Sequence, residues 1–133
     1  MKKIIIPIST LFVVGISHAQ TLNLSTNQNY VYSKTYLDYD ANNQPAKTSE
    51  TVQYLDGLGR PKQVVNIKAS PLQKDVVSHI TYDGFGRQAL DYLPVPQAGT
   101  MNGAFIPDPL ANAPNTPLGN EVIFAKKEFE NSP

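Results

Sequence analysis

The chain has 133 residues, eleven basic and eleven acidic side chains, two histidines and no cysteine. A neutral balance gives no electrostatic footprint for nucleic acid or an anionic membrane surface. The absence of cysteine excludes a disulfide framework, and so few histidines argue against a metal centre.

Residues 1–20 read MKKIIIPISTLFVVGISHAQ. Lys2 and Lys3 form a positive start, Ile4 to Ile16 is mostly apolar, and Ser17-His18-Ala19 is a small-x-small cleavage site. This is the pattern of a secretory signal peptide over 1–19. The apolar run is too short for a stable span, which needs roughly 20 residues, and no cysteine follows it to carry a lipid. Removing Lys2 and Lys3 leaves nine basic against eleven acidic groups, a net charge of −2. The expected location is the periplasm, the outer surface or the medium. An exported chain of this size with no disulfide must rely on its own packing or dock onto something larger.

Residues 20–29 are polar and read as a flexible lead-in. Tyr30 to Asp38, dense in aromatic and β-branched residues, is the first expected strand. The period of two puts Tyr30, Tyr32 and Tyr36 on one face and Val31 and Leu37 on the other. Asp40 to Pro45 is a turn. Further strands are expected over Thr48–Leu55, Lys62–Lys68, Asp75–Tyr82 and Gln88–Leu93. No window carries a helical period, so residues 30–93 read as a mainly β domain, a small antiparallel sheet of hairpins.

The character then changes. Pro94 to Pro117 holds six prolines, which excludes sheet interior. Residues 94–118 read as a Pro-rich loop, with Phe105, Ile106 and Leu110 offering side chains to pack. Residues 119–133 begin a further element, a short strand plus turn or a short helix, and look cut from something longer.

Both arginines of the chain close the same phrase: Asp56-Gly57-Leu58-Gly59-Arg60 and Asp83-Gly84-Phe85-Gly86-Arg87. A dinucleotide loop would need a third glycine and a following helix; here Pro61 and a β-branched run follow. A catalytic site would need partners that can meet. His79, the one histidine of the mature chain, reads as an ordinary strand residue, and Asp56 and Asp83 each have a simpler role. A structural turn explains each position. The aspartate accepts from backbone N–H groups two residues on, Gly57 and Gly84 take positive φ, and Leu58 and Phe85 pack on a neighbour. Gly59 and Gly86 allow a second reversal. Arg60 and Arg87 reach a carboxylate with a planar fork. Asp38 to Asn43 is a degenerate third copy without the glycines or the arginine.

Tyr82, Asp83, Gly86 and Arg87 match the Y-D-x-x-G-R core of the tyrosine–aspartate (YD) repeat of Rhs proteins. The earlier copy keeps Asp56, Gly59 and Arg60 but inserts Leu55 after Tyr54. The wider set resembles the N-terminal domain of unknown function of secreted bacterial Rhs/YD-repeat proteins. It comprises Tyr36-Leu37-Asp38, residues 53–61 and 82–87, Tyr92-Leu93-Pro94, and Phe129 to Pro133. The resemblance covers Tyr30 to Pro133. It implies an exported domain preceding a hollow shell of YD repeats, here a fragment or truncated member with no toxin tip. The expected function is therefore a non-enzymatic structural or capping domain, without cofactor or metal, whose partner is the downstream shell or a cell-surface component. The alternative is a carbohydrate-binding or adhesion module whose ligand face is Tyr30, Tyr32 and Tyr36, since aromatic rings stack on sugars.

Overall fold

The computed structural model describes residues 22–131; the signal-peptide reading over 1–19 and the last two residues lie outside them. The domain is mainly β, built from two antiparallel sheets. Strands β1 (Asn29–Tyr39), β2 (Pro45–Leu55), β3 (Pro61–Asn66), β4 (Val76–His79) and β6 (Val95–Pro96) form one sheet in the order β1-β2-β3-β4-β6. Strands β5 (Leu90–Tyr92) and β7 (Phe124–Lys126) form the other. A 3₁₀ turn at Ala113–Asn115 is the only helical element among the described residues.

The alternation of the sequence becomes a core because the register aligns one residue from each strand. Val52 faces Val65, Val65 faces Val77, and Val77 faces Val95. All four are 0% exposed. A fully buried valine contributes about 1.5–3 kcal/mol, so this transverse row is the main apolar stabilisation of the sheet. Tyr54 extends it by one pleat, and Leu24, Tyr32, Ile67, Phe105 and Ile106 pack around it. β1 and the outer half of β2 run on past this core. β2 pairs with β3 only over Thr51–Leu55, so the rest of the β1–β2 hairpin is an exposed arm.

Three differences from expectation have physical causes. The Pro-rich residues 94–118 are not a loop throughout. Val95–Pro96 adds an edge strand, a place where proline is tolerated because one side of an edge strand needs no ladder donor. Farther on, Gly103 lies against Val52, and Phe105 and Ile106 pack on the core. The lead-in is tied down where it is described: Asn23 donates its backbone N–H to Asn102, and the Ser25 hydroxyl accepts from Phe105. Leu24, the apolar residue of that polar stretch, packs on the core. Lastly, the fifth expected strand leaves the main sheet and pairs with β7, so the ambiguous C-terminal element is in part a strand.

Buried polar side chains fasten the Pro-rich segment to the sheet. Asp75, fully buried, accepts from the backbone N–H of Lys68 with one oxygen and from Asn102 and Gly103 with the other, all at 3.0–3.2 Å. Gln63 grips Ile106 at both ends, donating to its carbonyl at 2.8 Å and accepting from its N–H at 2.9 Å. The Tyr54 hydroxyl donates to the Gly103 carbonyl at 2.7 Å. Gly103 has φ +77°, and a Cβ there would lie 2.7 Å from Ile67 Cδ1 and 3.1 Å from Val52 Cγ2. Gly103→Ala therefore combines left-handed strain with overpacking, and unfolding in urea should show a loss of about 2–4 kcal/mol.

Candidate functional site

The two D-G-x-G-R phrases are the chain's most distinctive feature, and the structure makes them the same object. In the first, the Asp56 N–H donates to the Arg60 carbonyl at 2.8 Å, and the Gly59 N–H returns to the Asp56 carbonyl at 3.1 Å. One carboxylate oxygen of Asp56 accepts from the N–H groups of Leu58 and Arg60, both at 2.9 Å; the other accepts from Arg60 Nε at 2.8 Å. In the second, Asp83 makes the corresponding five bonds with Phe85, Gly86 and Arg87 at 2.9–3.0 Å. The pattern is a type I turn closed by a left-handed residue, the three-residue hairpin loop with a bulge.

The left-handed position is Gly59 (φ +77°) and Gly86 (φ +76°), not Gly57 and Gly84 as expected. The turn needs its positive φ at the fourth residue, where the chain rejoins the strand. Gly57 and Gly84 occupy the second position, where a Cβ would meet nothing. The apolar residues also differ from expectation. Leu58 is 79% and Phe85 86% exposed, because the third position is the tip of the hairpin and points into solvent.

The same frame occurs twice more. Asp40–Gln44 repeats both backbone bonds, and Asp40 accepts from Asn42 and Gln44 at 2.8 and 2.9 Å. Ser70–Lys74 repeats them too, with the Ser70 hydroxyl accepting from Lys74 at 2.9 Å. Asn43 (φ 59°) and Gln73 (φ 58°) hold the left-handed position. The copy at Asp38 to Asn43 thus begins at Asp40. The one at Ser70 carries no D-G signature, although Ser70 and Pro71 are ordinary first and second turn residues. Arginine is not required for the turn; it adds the clamp on the second carboxylate oxygen.

The arginines also join units. The Arg60 guanidinium lies 4.3 Å from the centroid of the Tyr82 ring, the aromatic that precedes Asp83. The Tyr82 hydroxyl donates back to the Pro61 carbonyl at 2.7 Å. A Cβ on Gly86 would stand 3.1 Å from Arg60 Nη1, so the first turn lies directly against the second. Arg87 repeats the step: its guanidinium lies 4.3 Å from the Phe129 ring, which precedes Glu130. The carboxyls of Asp56 and Asp83 are held below the usual carboxylate range, chiefly by the backbone N–H of Arg60 or Arg87, which with the guanidinium and the N–H of Leu58 or Phe85 outweighs an opposing desolvation.

The tyrosine face is less open than a ligand platform would be. Tyr30 packs edge-on against Tyr54, with centroids 6.0 Å apart. Tyr32 packs on the core and donates its hydroxyl to Glu50 at 2.9 Å. Tyr36 stands half-exposed and stacks on Tyr39 beyond a bulge at Leu37. His79 is half-buried with its ring 5.4 Å from Tyr92, and desolvation pushes its pKa down against the opposing charge of Asp108. A polar cleft of about 400 Å³ beside Glu50 and Lys68 and an apolar groove of about 490 Å³ beside Leu72 and Pro117 both border the Ser70–Lys74 turn and lie away from the two D-G-x-G-R turns. Asp75, Gln63 and Gly103 are the consequential residues that the sequence reading passed over.

Residues 26–133 match the model of a family described as Domain of unknown function (DUF6443). The chain belongs to that family. No curated protein and no solved structure matches it. In this DUF6443 domain, then, the most regular local geometry is a five-residue turn closed by its own first side chain, and the two copies with arginine each set a guanidinium on a downstream aromatic ring.

Three measurements test this geometry. A double-mutant cycle of Arg60→Ala and Tyr82→Ala, read by denaturant unfolding, should return a coupling of about 0.5–1 kcal/mol. Gly59→Ala should cost about 1–2 kcal/mol while Gly57→Ala stays within about 0.5 kcal/mol. The pH dependence follows from the depressed carboxyls. Their contribution is whole above the unfolded carboxylate value of about 3.9 and is lost as pH falls through the lower folded values. Thermal melts of the Asp56→Asn, Asp83→Asn double variant should therefore show a shallower loss of Tm below about pH 4 than the parent.

Proposed function

We propose that this DUF6443 domain is a non-enzymatic, exported structural domain that opens an array of YD-type hairpins, as the likeness to the N-terminal domain of Rhs/YD-repeat proteins implies. One observation carries the reading: the guanidinium of one D-G-x-G-R turn seats on the aromatic that begins the next. A turn that clamps itself and also grips its successor is suited to building an array rather than to performing chemistry. The carboxylates most regular in the sequence are consumed by that role, since every oxygen of Asp56 and Asp83 accepts at least one hydrogen bond from its own turn. The five-residue frame recurs at both ends of the main sheet, and its two arginine-bearing copies stand together at one end.

No toxin activity is assigned to these residues, and the partner is the repeat array itself or a surface component that carries it. A carbohydrate-binding role has less support, because Tyr30 and Tyr32 are engaged within the domain. The direct test is to isolate the native polypeptide with an antibody against residues 30–93 and sequence its tryptic peptides. Further Y-D-x-x-G-R peptides from the same polypeptide are expected. A native protein free of them would overturn the reading.

A further inference from the structure

The arginine–aromatic contact has a direction. Arg60 covers Tyr82, and Arg87 covers Phe129, each at 4.3 Å. The backbone advances in the same sense. The Ile80 N–H donates to the Lys62 carbonyl of β3, Ile80 bridges Asp91 of β5, and β5 pairs with β7. At its near end this succession is closed. Tyr54, the aromatic of the first unit, is fully buried, bonded to Gly103 and packed against Tyr30 and Phe105, so no arginine can reach its ring. The far end is open. β7 is exposed along its length, Phe124 included, and Val122 and Phe129 are exposed beside it. Among the described residues, β7 pairs only with β5.

We infer that the outer edge of β7 is an acceptor edge for one further hairpin of the D-x-x-G-R class, taken in one direction only. The inference rests on the array reading above and names its contact. The occupant is chosen by continuity, since the step from β3 to β5 and the step from β5 to β7 are each accompanied by the same guanidinium–ring contact. The contact groups follow from strand alternation. Ile123 accepts from the Leu93 N–H, and Lys127 donates to Ala89, so these residues face β5. Phe124 and Lys126 therefore point their N–H and carbonyl groups away from it, toward the newcomer. A second copy of the chain does not fit, because its corresponding end is the closed one.

The test is a titration of the isotope-labelled full chain with a synthetic peptide of residues 75–93, followed by amide shifts, with light scattering for mass. Saturable shifts at Phe124 and Lys126 and a monomeric chain without peptide are expected. Lys126→Pro, which removes an outward N–H and leaves the β5 bonds alone, should abolish the shifts at unchanged Tm. A peptide carrying Gly86→Val should lose binding at least tenfold. Absence of saturable shifts, shifts at β1 instead, equal binding of the Gly86→Val peptide, or a dimer joined through β7 would each overturn the inference. If the native polypeptide carries further repeats and β7 stays silent, this inference alone falls. If it carries none and β7 still binds, the array reading falls and the acceptor edge stands.

Discussion

The carboxylate of Asp75 is the constraint on which the rest of the domain depends. A proline-rich stretch has few N–H groups to give a ladder, and beyond the two-residue strand at Val95–Pro96 this one must still cover the buried valines as irregular backbone. Leaving its remaining backbone groups unpaired over an apolar core would cost roughly 1–3 kcal/mol each. Asp75 resolves this by accepting three backbone N–H groups with two oxygens, one from Lys68 just past β3 and two from the roof. Gln63 and Tyr54 complete the fastening. Removing the carboxylate would strip all three donors of their partner, the buried Gly103 N–H among them, so the polar anchor and the valine row stand or fall together.

Two different bonding strategies therefore coexist. Across the sheet, stability is non-local: single side chains from distant strands hold a segment of irregular backbone. At the hairpin ends it is local, with five residues satisfying one another through one aspartate. The exposed ion pair within each turn is worth little by itself. Its value is geometric, since a bond at the guanidinium edge fixes the plane whose face lies on an aromatic ring.

Much of the sheet was legible in the sequence, because Val52, Tyr54, Val65 and Val77 alternate with less buried neighbours at a period of two. The turns were legible as turns from Asp, Gly and Arg. Which glycine takes positive φ was not, since both Gly57 and Gly59 allow it and only the hydrogen-bond closure selects the fourth position. The turn at Ser70–Lys74 was hidden because its left-handed residue is Gln73, a side chain rarely found there. The Pro-rich roof was illegible for a deeper reason: its order comes from Asp75 and Gln63, far away in the chain, and no local pattern announces them. The stacking of Arg60 on Tyr82 and of Arg87 on Phe129 was beyond periodicity for the same reason.

The two guanidinium–ring contacts are alike in space although the chain between them is not. Residues 61–81 separate the first pair, and residues 88–128, with the whole proline-rich roof, separate the second. The contact thus specifies nothing about loop length. Insertions and deletions could accumulate between one aromatic and the next arginine without disturbing either, provided the chain returns to the same edge. Spacing along the chain is then a poor guide to homology in such a domain. The paired identities of arginine and following aromatic are the better one.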